Sequence, residues 1–472
     1  MSFIRYKLFG KKEYAYEIHA YWDKEKQKPY QTSKYLGVVI DKQKKIFGKP
    51  IRKKPENLIL DFGDTYLLQH FLEESKLGSL FSVFETQKDT LLALLNYRIC
   101  HGSAMRFAQS WFEGNYTRIL YKQASISSQR ISDFFEYLSD ENLQRKFFSE
   151  YIPSFCNPKQ GIIIDGTSLQ NQIHMPLTAW GRSGEEIDKQ IRFLLIVDKE
   201  STRPLFFRTL PGNILDVSTI RNTIDELKRY GVNESFAYLD AGFFSEDNIR
   251  ELYEQNIQFL TRLPSMRVIY KQLIADELQD IESISHAVRY GKRGLFVKQK
   301  KIDLFGKEAW AHIVLDPERK GRETKKFLID VVDEKEQHDD QEMGYTLKTR
   351  GIMILVSSFS ISKKEVVPMY YVRQTAETLF GFSKDDLNIL PLRVHNEARL
   401  RGFLFLQFIS LITFVMLKKK IGTEYTVEEI MLTMRNLKCK VYDNDLVPQE
   451  MTKQQKNIME LFGILMPKSL GI

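Results

Sequence analysis

Two aspartates and one later helical segment hold the residues best suited to chemistry. Asp165 closes the apolar run 161–165 (GIIID) before Gly166, and Asp240 closes the run 235–240 (SFAYLD) before Ala241 and Gly242. In an open α/β sheet the carboxyl ends of strands face the crevice where ligands bind, so an aspartate there projects into a site rather than into the core. Taken singly, each also reads as a turn or capping residue; it is the repetition that singles the pair out. The third segment carries Tyr370, Arg373, Glu377 and Lys384, separated by two, three and six intervening residues. At roughly 100° per residue these offsets put all four side chains within an arc of about 60°. One helix face then presents a phenol, a guanidinium, a carboxylate and an ammonium, although Arg373 and Glu377 alone also fit an ordinary i,i+4 ion pair. Carboxylate oxygens suit a hard divalent cation such as Mg2+, and guanidinium and ammonium groups suit a phosphate.

The elements around these residues alternate. Residues 161–165, 191–197 and 204–210 read as consecutive strands, 217–230 as a helix and 235–240 as a strand, followed by a helix over 245–255 and a strand over 259–262. This is the pattern of a mixed sheet in an α/β layer architecture. Residues 264–348 interrupt it with strand-like runs at 294–304 and 308–315 and clustered Lys and Arg, and read as a β-rich insertion. The α/β pattern resumes with a strand at 352–358 and a long helix from Ser362, where Ser362 and Glu365 match a capping box. Pro368 inside that helix either kinks it or starts a new one.

The expected organisation is a small β-rich basic module at 1–60, a helical DNA-binding domain at 61–155, the first part of the core at 156–263, the insertion at 264–348, the second part of the core at 349–420 and a C-terminal helical region at 421–472. The first module combines aromatic alternation (Tyr14, Tyr16, Ile18, Tyr21) with Lys42, Lys44, Lys45, Lys49, Lys53 and Lys54. In the second, residues 125–137 read first as an ordinary helix pair, and are also compatible with a helix-turn-helix near Arg118, Lys122 and Arg130.

Composition bounds the partners. The 472 residues include 43% hydrophobic and 28% charged residues, ordinary for a chain that builds a sizeable core. A net charge of +8 favours a polyanionic partner without identifying it. Cys100, Cys156 and Cys439 are far apart and form no C-x-x-C pair, against a disulfide framework or a structural zinc site. Residues 1–12 carry no long apolar run, and the apolar stretch 403–417 is interrupted by Gln407, Ser410 and Thr413; a cytoplasmic protein with no membrane segment is expected. Phosphate-loop, dinucleotide-turn, zinc-helix and nucleophile-elbow motifs are all missing from the sequence, and the histidines, His395 included, have no metal-ligand spacing.

The spacing Y-x2-R-x3-E-x6-K at Tyr370, Arg373, Glu377 and Lys384 resembles the signature of a large bacterial insertion-sequence family, the DDE transposases. IIIDGT around Asp165 and YLDAGFFSEDNI around Asp240 look like that family's two aspartate motifs, and GDTYLLQHFLEESKLG at 63–78 and RVHNEARLRGFLF at 393–405 are similar to one subgroup. The resemblance implies an RNase H-like catalytic core with a β-rich insertion between the second and third carboxylates. It also implies a DNA transposase that cleaves transposon ends and transfers them to target DNA, with cleavage through a hairpin as one of the family's routes.

In-line displacement at phosphorus develops charge on the attacking and leaving oxygens, which two divalent ions about 3.5–4 Å apart stabilise together. The resemblance makes Asp165, Asp240 and Glu377 the ligands of Mg2+ or Mn2+, with Asp165 bridging both ions. It gives Tyr370, Arg373 and Lys384 contacts to DNA, and implies at least a homodimer once DNA ends are paired. Trp310 in the insertion is the candidate for stacking on a flipped base, or else a core or rim tryptophan of a small sheet. The insertion's cations Lys298, Lys300, Lys301, Lys307, Arg319, Arg322, Lys325 and Lys326 are expected to neutralise DNA phosphates. A nuclease that cuts without joining and a DNA-binding descendant without catalysis are the rival readings.

Overall fold

The computed structural model describes residues 2–9, 12–24, 27–48, 58–156, 161–183, 186–213, 217–232, 236–334, 340–442 and 445–471. The chain forms two compact units. The smaller holds residues 1–59, 440–447 and 468–472. Within it β1 (Ser2–Phe9), β2 (Lys12–Asp23), β3 (Lys28–Asp41) and β4 (Ile46–Gly48) form one antiparallel sheet in chain order. Tyr14, Tyr16 and Tyr35 cluster across its strands. Lys42 pairs with Glu13 at 2.7 Å and lies over the Tyr6 ring. Lys49, Lys53 and Lys54 lie outside the described residues.

After a short strand β5 (Leu58–Asp61), the larger unit opens with seven helices: α1 (Gly63–Glu74), α2 (Leu77–Leu80), α3 (Lys88–Cys100), α4 (Ala108–Glu113), α5 (Thr117–Leu120), α6 (Ser128–Leu138) and α7 (Glu141–Phe155). α6 shows why such segments are helical. The Ser127 side chain accepts the Arg130 N–H at its N-cap, and Ile131, Phe134, Phe135 and Leu138 recur at three- and four-residue intervals on its buried face.

Ten strands then build a single sheet. They are β6 (Ile162–Gln170), β7 (Ala179–Ser183), β8 (Glu186–Asp198), β9 (Pro204–Pro211), β10 (Phe236–Leu239), β11 (Gln258–Arg262), β12 (Ala287–Tyr290), β13 (Arg293–Leu304), β14 (Lys307–Leu315) and β15 (Ile352–Ser357). The order is β12-β13-β14-β15-β11-β10-β6-β8-β7, with β9 also pairing with β8. β10 runs parallel to both β6 and β11; the other named pairs are antiparallel. The helices α8 (Val217–Arg229) and α9 (Glu246–Glu254) make the crossovers on either side of β10, the connection that parallel strands require.

Residues 264–348 are not a module apart from this sheet. β14 pairs with β15 from Trp310↔Ser357 to Leu315↔Ile352, and β15 pairs with β11, so the inserted strands extend the central sheet at its edge. Its described residues also hold more helix than strand, in α10 (Val268–Glu277), α11 (Pro317–Glu334) and α12 (Asp340–Thr349).

The long helix expected from Ser362 is broken. Ser362 Oγ donates to Glu365 Oε2 at 2.5 Å ahead of α13 (Val366–Tyr371), which has no side-chain cap. Then come α14 (Gln374–Gly381) and a π-helical stretch at Phe382–Asp386. α15 (Glu397–Ile421) is the one helix among the described residues long and apolar enough to span a bilayer, yet 94% of its apolar window is buried within the protein. Phe405 and Phe408 on it meet Phe147 and Phe148 of α7 and Phe207 of β9, with ring centroids 5.0–6.2 Å apart. This aromatic cluster locks the helical layer onto the sheet. Beyond α15, the stretch 421–472 holds α16 (Val427–Arg435) and α17 (Lys453–Leu461), but short strands at Lys438–Val441 and Asp445–Pro448 lie between them, so the region is not wholly helical.

Candidate active site

The sheet places the two aspartates side by side. β6 and β10 pair in register through Ile164↔Leu239, so Asp165 and Asp240 are the next residues along two adjacent parallel strands. Asp240 lies just past the end of β10, as the sequence predicts. Asp165 does not end its strand: β6 continues to Gln170 because β8 continues to pair with it, from Asp165↔Leu195 through Gln170↔Gln190. A polar DGTS segment that reads as a strand terminator is here the strand's functional half.

Glu377 arrives from α14, more than 130 residues after Asp240 in the chain, and what joins the three acids is Arg373. Its Nη1 lies 3.0 Å from Asp165 Oδ2 and 3.5 Å from Asp240 Oδ1, and its Nη2 lies 2.8 Å from Glu377 Oε1. Three carboxylates from distant segments therefore gather around one guanidinium. Arg373 occupies the junction between α13 and α14, where the bonds Arg373 N–H to Tyr370 O and Ala376 N–H to Arg373 O close three-residue turns. Tyr370 is buried beside it, with the guanidinium 5.7 Å from its ring. Lys384, in the π-helical stretch, turns to β6 and donates to Thr167 Oγ1 at 2.8 Å. The overwound and underwound turns depart from a uniform helix, but the face expected from regular spacing still meets the aspartate strands.

Electrostatics follow from this packing. Burial pushes the Asp165 carboxyl up to about 6; Arg373 opposes that rise and Asp240 adds to it. Burial alone would lower the Arg373 pKa, but Asp165 and Asp240 outweigh it and hold the group above its ordinary value. Burial raises Tyr370 and lowers Lys384. Three ionised carboxylates around one arginine leave a formal charge of −2, and the buried Nε of Arg373 has no hydrogen-bond partner among the described residues.

Among the described residues no three acidic, His or Cys side chains stand close enough together to hold a metal ion as placed, because Arg373 lies between the acids. The donor set nonetheless fits a hard divalent cation. It is all oxygen, over-charged for one guanidinium, and includes Glu377, whose side chain is 52% exposed and held, among the described residues, only by Arg373.

Thr167, the acceptor for Lys384, joins the candidate site without standing out in the sequence, where it is only the last residue of the IIIDGT run. Its signal was period two: it shares a face of β6 with Asp165. Trp310 is not brought to the carboxylates. The pairings Trp310↔Ser357, Ser357↔Leu260, Leu260↔Tyr238 and Tyr238↔Ile163 put four strand spacings, roughly 19 Å, between it and the row beside Asp165. Lys301 lies over its ring at 5.3 Å.

A family model described as the transposase DDE domain matches residues 157–413, more than half of the chain, and that span contains Asp165, Asp240, Tyr370, Arg373, Glu377 and Lys384. The chain belongs to the DDE transposase family. Members of this family are DNA-acting enzymes of transposition that use divalent metal ions, and this DDE transposase is one of them. No curated protein matches it in sequence. Among solved structures it is similar to a piggyBac transposase, determined by cryo-EM as a synaptic complex with hairpin DNA. Identity there is 11% over 74% of this chain and 70% of that one, with a TM-score of 0.41, a likeness too distant to bear on individual residues.

Proposed function

We propose that this DDE transposase cuts DNA at transposon ends and joins them to target DNA at a centre formed by Asp165, Asp240 and Glu377. The observation that supports this most is the convergence of all three carboxylates on Arg373. The sheet order β9-β8-β6-β10-β11, with the first acid on the middle strand of these five and the second just past its parallel neighbour, supports the reading of an RNase H-like core.

Asp165, Asp240 and Glu377 would hold Mg2+ or Mn2+, which when bound supplies charge stabilisation to the attacking and leaving oxygens of the phosphoryl transfer. The chain's own groups do the positioning. Arg373 leaves the carboxylates and takes a phosphate oxygen next to the scissile bond, so that one guanidinium serves the acids before DNA arrives and the DNA afterwards. Tyr370, fixed by burial under the guanidinium, limits where Arg373 can swing. Lys384, tied to Thr167, sets a second phosphate contact at a fixed distance along β6. Two subunits acting on paired ends, cleavage through a hairpin and a cytoplasmic site of action complete the reading.

The test is substitution at each acid. Asp165→Asn, Asp240→Asn and Glu377→Gln should each lower cleavage of a labelled transposon-end duplex by at least about a thousandfold, while gel-shift affinity for the same duplex changes less than about threefold. Near-wild-type nicking by any one of the three would refute the assignment.

A further inference from the structure

A second concave site lies in the larger unit, where the end of α3, the start of α6 and the loop leading into α15 meet. It is a cavity of about 900 Å³, within the size range that encloses a single small ligand. Its walls carry Arg98, Arg106, Arg393 and Arg399 with His101 and His395, and no carboxylate. Arg399 is paired with Glu136 at 3.3 Å, but Arg98, Arg106 and Arg393 form no ion pair among the described residues.

Arg98 is the most telling of these. It is 2% exposed, and three of its five N–H donors meet neutral acceptors, which leaves one on each terminal nitrogen for a ligand. Nη1 donates to Ser103 O at 3.3 Å and, with the amide turned to present its oxygen, Gln407 accepts from Nη2 at 2.6 Å and from Nε at 3.2 Å. Burial brings its pKa down to about 10, so it stays cationic at neutral pH. Hydrogen bonds to neutral groups orient the guanidinium without cancelling its charge, and a desolvated cation without a counter-charge is costly to hold. The missing partner is an anion.

The remaining walls mix neutral polar groups, Ser103, Ser132 and Asn396 among them, with an apolar part formed by Leu390, Pro391 and Phe403. At the rim the Phe107 ring is 45% exposed, with the Arg106 guanidinium 4.6 Å from its centroid. The rim is also tied to the catalytic segment: Asn388, four residues after Lys384, donates to Gly102 O at 3.0 Å. An anion that also buries a flat apolar body describes a nucleotide, and the enclosure is too small for a duplex. Cations with aromatic faces are the usual means of holding unpaired strands.

We propose that this cavity binds an unpaired nucleotide of the DNA strand that passes the carboxylates, with phosphate on Arg98, Arg106 and Arg393 and the base against Phe107, Pro391 and Phe403. The inference rests on the chain being a transposase that acts on DNA through Asp165, Asp240 and Glu377, and it adds a subsite to that reading. In this arrangement a strand freed at the cut end runs along the π-helical stretch from Lys384 into the cavity.

The test uses the full chain in EDTA and fluorescence anisotropy with a labelled oligothymidylate and a duplex of the same length. Arg106→Glu with Arg393→Glu, and separately Phe107→Ala, change exposed residues and leave the buried Arg98 in place; matching melting temperatures confirm folding. The double variant should lose at least about tenfold in affinity for the single strand and less than about twofold for the duplex, and Phe107→Ala should lose about fivefold on the single strand alone. Equal losses on both probes, or none on the single strand, would overturn the proposal. Asp240→Asn should bind the oligothymidylate like the wild type. An Asp240→Asn enzyme that still cuts therefore counts against the catalytic assignment and not the cavity, whereas charge-reversed variants that keep single-strand affinity count against the cavity alone.

Discussion

Asp165 is 4% exposed and lies against Arg373, yet its carboxyl titrates near 6, because burial outweighs the guanidinium and Asp240 adds repulsion. The folded chain therefore holds a proton between about pH 4 and pH 6 that the unfolded chain releases. Stability from this group is greatest below the unfolded value of 3.8 and is lost as pH rises through about 6, a cost on the order of 3 kcal/mol. Without divalent ions, the melting temperature of Asp165→Asn should overtake that of the wild type as pH rises across this window. At pH 7.5, added Mg2+ should stabilise the wild type and not the variant; equal stabilisation of both by Mg2+ would remove Asp165 from the ligand set. Below pH 6 the affinity for Mg2+ should fall about tenfold per unit, since the ligand must be deprotonated. The sequence makes these groups conspicuous, because an aspartate after an apolar run and the Y-x2-R-x3-E-x6-K spacing are local patterns. It does not show that Arg373 stands between the acids, since that depends on contacts over 208 residues of chain.

At the scale of elements, α6 and α15 approach as closely as backbone allows. A Cβ added at Gly402 of α15 would stand 1.8 Å from Phe135 O and 2.6 Å from its carbonyl carbon, both main-chain atoms that cannot rotate away. Gly402→Ala should push the helices apart and lower stability by about 1–3 kcal/mol, read as a fall in the urea midpoint with an unchanged slope. A variant as stable as the wild type would show that the two helices do not pack at this distance. The burial of α15 is legible because it is apolar all round, too short of polar residues for a surface helix. The length of β6 is not, because Gly166 and Ser168 carry turn-like propensity and pairing with β8 keeps the segment extended. Nor is the place of β12–β14 legible: they join the central sheet through β15, with α11 and α12 intervening in the chain. The breaks around α14 escape a uniform 100° repeat for the same reason, being settled by what the turns pack against.

For the whole molecule, a net charge of +8 says little until the cations are sorted by their neighbours. Of the basic residues in 264–348, Lys298 is held by Glu277 at 2.8 Å and Asp280 at 2.5 Å, Lys300 by Glu277 at 2.6 Å, Lys301 by Glu308 at 3.0 Å and Arg319 by Glu323 at 2.6 Å. Those four are largely committed within the fold. Arg322, Lys325 and Lys326 form no ion pair among the described residues, are exposed, and share one face of α11 at three- and four-residue spacing. If the DNA backbone runs over this region, it meets that face, and the charge available to displace counterions is theirs. The triple variant Arg322→Ala, Lys325→Ala, Lys326→Ala should weaken duplex binding and flatten the plot of log affinity against log salt by about 2 to 3, close to 0.9 for each phosphate no longer neutralised. Lys298→Ala with Lys300→Ala should leave that slope within about 0.5 of the wild type, because removing a cation already neutralised by carboxylates releases few counterions. Titrations between about 50 and 200 mM salt distinguish the two. A flattened slope in the paired-lysine variant with none in the triple variant would place the DNA path across β13 and away from α11.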